Sequence, residues 1–178
     1  MAGLRKGHCY NKIGSLKRPY TRTSKFKNRA YIKGIPPSKI AKFELGNPKG
    51  TYTHEVALVS LKHVQIRHNA IEASRQVVVR RLDLGLGASN FLFKVRAQPH
   101  QVMRENKIVT GAHADRIATG MAHSFGKPIG LAAQLMKGKP VFSVCVAKDG
   151  IEKAKEALKG APPRIPGSYR ISVSEIKK

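Results

Sequence analysis

Hydrophobic and polar side chains alternate in several parts of the chain, and this alternation predicts strands. The clearest case is residues 91–98, FLFKVRAQ, where every second side chain is apolar, as in a strand with one buried face. Shorter patterns of the same kind predict strands at 38–46 and 54–64, two strands within 129–148 on either side of the turn Lys137–Gly138–Lys139, and a last strand at 168–174.

A longer segment, residues 69–85, repeats apolar positions at helical spacing. Asn69, followed three residues later by Glu72, has the spacing of a capping box and predicts the first turn. Gly85 or Gly87 is expected to end the helix. The predicted buried stripe comprises Ile71, Ser74, Val78 and Leu82, with Ala70 and Val77 beside it. The arginines predicted to lie off the stripe are Arg75, Arg80 and Arg81.

A second, shorter helix is predicted at 149–160. Asp149 and Glu152 have capping-box spacing, and Gly160 is expected to end the helix. Its predicted inner face consists of Ile151, Ala154 and Leu158. Because strands are predicted before and after this helix, the segment is able to form a right-handed strand–helix–strand crossover.

Strands and helices mixed along 178 residues predict a single compact α+β domain with two helices. Two segments show no such pattern. In residues 1–33 no helical or strand spacing of apolar residues is long enough to predict an element, and in residues 98–128 no such spacing is sustained. Loops longer than about 12–15 residues are uncommon in compact domains unless they are functional or disordered. We therefore predict an arm at 1–33 and a globular domain at 34–178 with a long functional loop at about 98–128.

The charge of the chain points to a polyanionic partner. The chain has 34 Lys and Arg against 10 Asp and Glu, a formal net charge of +24, which destabilises a compact state unless a partner compensates it. Residues 1–43 contain 12 of the bases and no acid, interleaved with Tyr20, Phe26 and Tyr31. Bases neutralise phosphates and aromatic rings stack on nucleobases, so the arm is predicted to bind nucleic acid. Its candidate contact residues are Arg5, Lys6, Lys12, Lys17, Arg18, Arg22, Lys25, Lys27, Arg29 and Lys33.

The stretch GMAHSFGKP, residues 120–128, is similar to a phosphate-binding P-loop, which reads G-x-x-x-x-G-K-[ST]. Five residues rather than four separate Gly120 from Gly126, and Pro128 occupies the position where the motif needs a hydroxyl for Mg²⁺. Proline also lacks the backbone N–H that would open the helix. The sequence therefore argues against a nucleotide site.

Other classes of function have weaker support. Cys9 and Cys145 are too few for a disulfide framework or a four-ligand zinc site, and His8 beside Cys9 is a weak metal signal, so no metal or cofactor is predicted. No set of nucleophile, base and acid can be picked out for an enzyme. A membrane-surface protein is supported by charge alone, because no run of about 18 apolar residues occurs. A DNA-recognition helix is disfavoured because the helix at 69–85 is predicted to be half-buried.

A compound motif is distributed over three segments: GIPPSKIAKFELG at 34–46, HQVMREN at 100–106 and GAHADRIATGMAHSFGKPIG at 111–130. Together they resemble the L-sixteen/L-ten-e family of large-subunit ribosomal proteins, in its archaeal and eukaryotic branch. The third segment matches the family's A-D-R-[IL]-x-T-G-M followed by F-G-K-P-x-G, a highly specific combination. With the basic arm, the resemblance covers nearly the whole chain, and GMAHSFGKP corresponds to the returning limb of the family's long loop.

The resemblance implies a hammerhead-like α+β fold, no catalytic activity, no cofactor and a place in the cytoplasmic ribosome. It implies that the arm binds large-subunit rRNA near the peptidyl-transferase centre, beside neighbouring large-subunit proteins, and that the protein shapes the path of aminoacyl-tRNA. Transient contacts with aminoacyl-site and peptidyl-site tRNA are implied for the loop, whose tip corresponds to Ile108–Ala118. The loop residues carried over are Arg104, Asn106, Lys107, His113, Arg116 and Lys127, and His113 lies near the place where eukaryotic members have a cysteine.

Overall fold

Two antiparallel β-sheets and two principal helices form the part of the chain that the computed structural model describes, residues 7–11, 26, 32, 34–105 and 126–176. The predicted α+β class is confirmed. Single turns of 3₁₀ helix lie at Lys148–Gly150 and Pro162–Arg164. In chain order the other elements are α1 (His8–Asn11), β1 (Glu44–Gly46), β2 (His54–Ser60), β3 (Val64–Arg67), α2 (His68–Leu86), β4 (Phe91–Val95), β5 (Gln101–Glu105), β6 (Lys127–Leu135), β7 (Pro140–Val146), α3 (Ile151–Leu158) and β8 (Tyr169–Glu175).

The larger sheet, sheet A, has five strands in the order β1-β4-β7-β2-β8. All neighbouring strands are antiparallel, so β7 and β8 run parallel to each other on either side of β2, with α3 between them in sequence. The alternation predicted for residues 91–98 is confirmed, since Phe91, Phe93, Val95 and Ala97 are all buried. The rings of Phe93 and Phe142 pack with centroids 5.4 Å apart at the centre of the main core.

The smaller sheet, sheet B, has three strands in the order β3-β6-β5. Val64 and Ile66 of β3 join the main core. The turn between β6 and β7 is confirmed, and Gly138 has a φ of 83° there, a left-handed conformation that favours glycine. The two strands joined by this turn do not pair with each other, because β6 lies in sheet B and β7 in sheet A. The turn therefore carries the chain from one sheet to the other.

Strand β5 corrects the prediction that residues 98–128 lack regular structure. Val102 and Met103 are adjacent in sequence and both buried, so the centre of this strand has no exposed face and no alternation. Hydrophobic periodicity reveals a strand only when one face remains in water. The two ends of the predicted loop thus belong to sheet B, where β5 ends at Glu105 and β6 begins at Lys127.

Two predicted strands are shorter than their sequence patterns. Within 38–46 only Glu44–Gly46 forms a strand. Within 54–64, strand β2 ends at Ser60, residues 61–63 are exposed, and β3 begins at Val64 in the other sheet. Lys62 would continue the inner face of β2, and a lysine is rarely buried without a partner, so the chain leaves sheet A at this point.

Helix α2 has the predicted buried stripe but a different first turn. Ile71, Ser74, Val78 and Leu82 are buried, and Gly87 provides the C-cap with a φ of 80°. The helix begins at His68, with Arg67 at the N-cap and no capping side chain. The prediction that Asn69 caps the helix is therefore wrong: Asn69 lies inside it, and its Oδ1 is buried without a hydrogen-bond partner among the described residues.

Glu72 and Arg75 form an ion pair where the capping box was expected to be. Two guanidinium N–H groups of Arg75 donate to the carboxylate of Glu72 at 2.8 and 2.6 Å, and the backbone N–H of Ala41 donates to it at 3.4 Å. The hydrogen bond from Arg75 lowers the pKa of Glu72 and raises the pKa of Arg75. Arg75 is only 8% exposed, so its predicted position off the buried stripe is wrong. The pairing compensates the cost of burying its charge.

Helix α3 follows a 3₁₀ turn rather than a side-chain cap. Asp149 lies within that turn, Gly150 is the N-cap, and no side chain bonds to the first turn, so the predicted Asp149 cap is wrong. Ala154 and Leu158 are buried as predicted. A Cβ on Gly160 would lie 2.9 Å from Nη1 of Arg81, so a larger residue here would displace the guanidinium group of Arg81, which extends from α2 to the end of α3.

His68, the first residue of α2, is buried beside positive charge. It is 6% exposed, and its Nδ1 accepts a hydrogen bond from the backbone N–H of Lys39 at 3.3 Å. Burial, and then the charges of Lys39 and Arg67, lower the pKa of His68 from its ordinary value of 6.5. The folded chain thus binds this proton less readily than the unfolded chain, and acid favours unfolding.

We expect the free energy of unfolding to decrease as the pH falls below about 6.5, because the unfolded chain then gains a proton that folded His68 resists. Urea unfolding measured between about pH 7.5 and 5 tests this while Glu72, whose pKa is lowered, stays ionised. His68→Gln should reduce the pH dependence, and His100→Gln, at an exposed position, should leave it unchanged. An equal pH dependence in the intact chain and the His68→Gln variant would contradict the expectation.

Candidate nucleic-acid interface

The arm is attached to sheet B at two places. Ile32 is 1% exposed and packs with Val102 of β5 and Leu131 of β6, which are register partners. In α1, the backbone carbonyl of Cys9 accepts a hydrogen bond from Nε2 of Gln65 at 2.9 Å. A domain boundary drawn at residue 33 therefore separates a buried side chain, Ile32, from the sheet on which it packs.

The contact with α1 continues into a polar network on sheet B. Oε1 of Gln65 accepts a hydrogen bond from Nε2 of Gln134 at 3.1 Å, and the two residues are register partners in β3 and β6. Because successive side chains of a strand point to opposite faces, Gln65 lies on the face opposite Val64 and Ile66, which join the core. The arm thus binds the side of β3 that faces away from the main core.

The ten basic residues predicted to contact rRNA lie outside the described residues, so their role stays a prediction. Phe26 is one of the three aromatic residues interleaved with them, and its side chain is 63% exposed.

The predicted loop residues are divided by the limits of the described chain. Arg104 lies half-buried in β5, opposite Pro128, and exposed Lys127 begins β6 opposite Glu105. Both bases therefore lie at the stem of the loop, on adjacent residue pairs of β5 and β6. Asn106, Lys107, His113 and Arg116 lie outside the described residues.

Most carboxylates of sheet A and α2 have basic partners. Lys94 Nζ lies 3.1 Å from Glu44 Oε1, and Arg96 Nη2 lies 2.9 Å from Glu55 Oε1. With the Glu72–Arg75 pair, these contacts neutralise part of the chain's positive charge internally. The remaining bases carry the excess that a polyanion must compensate.

One group of exposed bases was not predicted from the sequence. It lies where β2, the β6–β7 turn and β8 meet, and we call it the end patch: Lys62, Lys137, Lys139 and Arg170. A usable signal was present in the sequence, because each of its three segments lies in a long stretch without acids, between Glu55 and Glu72, between Asp115 and Asp149, and between Glu156 and Glu175.

The described residues offer little for catalysis. No group of three or more His, Cys, Asp and Glu side chains among them is placed to hold a metal ion. Cys145 is half-buried, and burial, followed by the charge of Glu55, raises the pKa of its thiol, which disfavours the thiolate needed for nucleophilic chemistry. None of the described helices is both long and apolar enough to cross a membrane.

Residues 16–172 match the protein family described as ribosomal protein L16p/L10e. Proteins named large ribosomal subunit protein uL16 are similar to the chain over nearly its whole length. The one from Staphylothermus marinus is 43% identical over 174 residues, covering 98% of this chain and 95% of the relative. The one from Sulfolobus acidocaldarius is 45% identical over 177 residues, covering 98% and 96%, and the one from Thermofilum pendens is 44% identical over 174 residues, covering 98% and 99%. The chain therefore belongs to the ribosomal protein L16p/L10e family.

Proposed function

We propose that the chain is a structural constituent of the large ribosomal subunit that binds rRNA near the peptidyl-transferase centre and helps to shape the path of aminoacyl-tRNA. The observation that carries this proposal is its similarity, over 98% of its length, to large-subunit proteins. The family is structural rather than enzymatic. The net charge of +24 suits a protein that works embedded in RNA.

The proposed function divides between two extensions of sheet B. The arm, with its ten bases, binds large-subunit rRNA and fixes the position of the domain. The loop between Glu105 and Lys127 extends toward the tRNA path and touches aminoacyl-site and peptidyl-site tRNA transiently. Both extensions are joined to the same sheet, since Ile32 packs on Val102 and Leu131 of the strands that form the loop stem. Neighbouring large-subunit proteins complete its surroundings in the cytoplasmic ribosome.

Sedimentation tests the ribosomal part of this proposal. The tagged full-length chain, expressed in its own cells, should co-sediment with large subunits in a sucrose gradient. It should remain bound through a wash at moderate salt, because many phosphate contacts must be broken together to release it. A chain that stays in the supernatant, as a free enzyme or a DNA-binding protein would, contradicts the proposal.

A further inference from the structure

The end patch brings four exposed bases together from three distant parts of the sequence. Lys62 follows β2, Lys137 and Lys139 flank Gly138 in the turn before β7, and Arg170 is the second residue of β8. Ser60 joins the first two segments, because its backbone donates to Lys139 O at 3.0 Å and accepts from Gly138 N–H at 2.8 Å. The backbone N–H of Leu61 donates to Ser168 O at 2.9 Å and joins the third.

The backbone beneath the end patch is held in place before any partner binds. The hydroxyl of Tyr169 donates to the carbonyl of Pro166, and burial raises the pKa of that hydroxyl. The hydroxyl of Ser60, which is fully buried, donates to Lys62 O at 2.7 Å. Bases on an ordered backbone bind a polyanion at a lower cost in conformational entropy than bases on a free segment.

Charge is distributed unequally between the two ends of sheet A. None of the four bases of the end patch is paired with a carboxylate in the described part of the chain. The opposite end, where β2 begins and β7 finishes, carries Glu175 beside His54, and Lys148 and Asp149 in the 3₁₀ turn after β7. Asp83 also lies near this end. It is in the last turns of α2, and the side chain of Leu86, the last residue of that helix, approaches Gly150. The domain is therefore basic at one end of sheet A and mixed in charge at the other.

The end patch is also distant from the loop. Strand β6 runs from Lys127 at the loop stem to Leu135, directly before the turn that carries Lys137 and Lys139. The eight residue-to-residue steps of strand from Lys127 to Leu135, at about 3.4 Å each, separate the two sites by about 27 Å. One phosphate-binding surface cannot span that distance with these four side chains, so the end patch is a site separate from the loop.

We propose that the end patch binds phosphates of an rRNA segment distinct from the segment at the loop, so that sheet B bridges two RNA segments. The proposal rests on the function proposed above and adds the site and its ligand. Exposed, unpaired bases on an ordered backbone provide sequence-independent contacts that set the position of a protein on RNA. Leu61 and Met136, which are 40% and 59% exposed beside these bases, offer apolar contact with ribose or base faces.

Neutralising the end patch should weaken RNA binding more than removing the same charge elsewhere. The test variant is Lys62→Gln/Lys137→Gln/Lys139→Gln. The matched control is Lys153→Gln/Lys155→Gln/Lys159→Gln on and directly after α3, where the lysines are equally exposed but lie among Glu152 and Glu156. Each variant loses three charges at exposed positions, and circular dichroism checks that both remain folded.

Binding of each full-length variant to deproteinised large-subunit rRNA is measured over a series of KCl concentrations. Removing one phosphate contact should lower the slope of log affinity against log salt by about 0.7–0.9. We expect the test variant to lose about two units of slope and at least about tenfold in affinity near 0.1 M salt, with little change in the control. Equal losses in the two variants overturn the proposal, because net charge rather than the site would then account for binding.

Crosslinking locates the contact directly. A photoreactive amino acid at Met136 lies within the end patch, whereas at Leu84, which is 82% exposed on the last turns of α2, it lies toward the other end of sheet A. Irradiation of assembled large subunits should join position 136 to rRNA and leave position 84 without an rRNA adduct. If position 136 forms adducts with protein alone, the patch binds an acidic protein and the proposal is overturned. The same conclusion follows if the Lys62→Gln/Lys137→Gln/Lys139→Gln variant keeps its rRNA affinity but is incorporated less well into subunits. Failure of the intact chain to co-sediment would instead reject the proposed function itself.

Discussion

Replacing Ile108–Ala118 by a short Gly-Ser linker should leave the chain able to join large subunits but slow the accommodation of aminoacyl-tRNA and peptide-bond formation. We expect the rate of peptide transfer to fall by about tenfold, equivalent to about 1.4 kcal/mol in the barrier. Assembly should survive because the stem of the loop is part of sheet B, where Glu105 and Lys127 are register partners.

The physical reason for the defect is the chemistry of the loop rather than its length. Changing the length of a surface loop costs little, about 0.6 kcal/mol for each doubling, so a loop without a partner could be shortened with little effect. Within the replaced segment we expect Arg116 to offer positive charge to RNA phosphates, and Gly111 and the alanines around it to allow the backbone to approach crowded RNA. A Gly-Ser linker keeps the close approach of the backbone and removes the charged side chain.

A single-turnover peptide-transfer assay on purified mutant subunits measures the effect, with occupancy of the protein determined in parallel. A Gly-Ser replacement of the original length separates side-chain chemistry from reach, and should be as slow as the short linker. Arg104→Ala should give a milder defect, since it removes one charge at the stem. Normal transfer at full occupancy would reject the proposed role of the loop, and failed incorporation would show that the loop acts in assembly.

Local sequence patterns predicted the helices and sheet A well, and sheet B less well. The stripe of α2 was predictable because one face of that helix packs on the core while the opposite face, with Arg80 and Arg81, remains in water. Strand β5 was not predictable, because Val102 and Met103 are both buried. Which sheet each strand joins depends on contacts between distant segments, so no pattern near Gly138 indicates that β6 and β7 separate there.

The basic residues of the candidate site differ in the same way: some are grouped in the sequence, and others become neighbours only in the folded chain. The arm was recognisable because its bases are close together in sequence and no acid interrupts them before Glu44. The end patch was not, because Lys62, Lys139 and Arg170 become neighbours only when β2, β7 and β8 pair. The burial of Arg75 has a more local cause: an arginine three residues after Glu72 on a helix is as available to its carboxylate as the N-terminal N–H groups that a capping box would satisfy.

Removing residues 1–33 should strongly weaken incorporation into large subunits, and the structure shows why that deletion needs a companion variant. The deletion removes ten bases, but it also removes Ile32 from its contact with Val102 and Leu131 and Cys9 from its contact with Gln65. A variant in which the ten bases are replaced by glutamine keeps both contacts. The bases replaced are Arg5, Lys6, Lys12, Lys17, Arg18, Arg22, Lys25, Lys27, Arg29 and Lys33.

The neutral-arm variant should reproduce most of the binding defect of the deletion without its loss of packing. Removing one phosphate contact lowers the slope of log affinity against log salt by about 0.7–0.9, so ten neutralised bases should lower it by several units. Ile32→Ala should lower the stability of the fold and leave the electrostatic part of rRNA binding unchanged. Truncation of a buried isoleucine costs about 2 kcal/mol at the low end of the known range, the end expected for a cluster of three residues, while the bases and the salt dependence of rRNA binding remain.

Three measurements on the deletion, the neutral arm and Ile32→Ala therefore separate electrostatic anchoring from packing: occupancy of purified large subunits, the salt dependence of rRNA affinity, and unfolding in urea. If the arm is an RNA-binding element, the slope of log rRNA affinity against log salt falls in the deletion and in the neutral arm and stays constant in Ile32→Ala. The free energy of unfolding falls in the deletion and in Ile32→Ala. An unchanged slope in the neutral arm would mean that its bases are only solvated. The arm would then act through packing alone, because Ile32 and α1 contact sheet B near the stem of the loop.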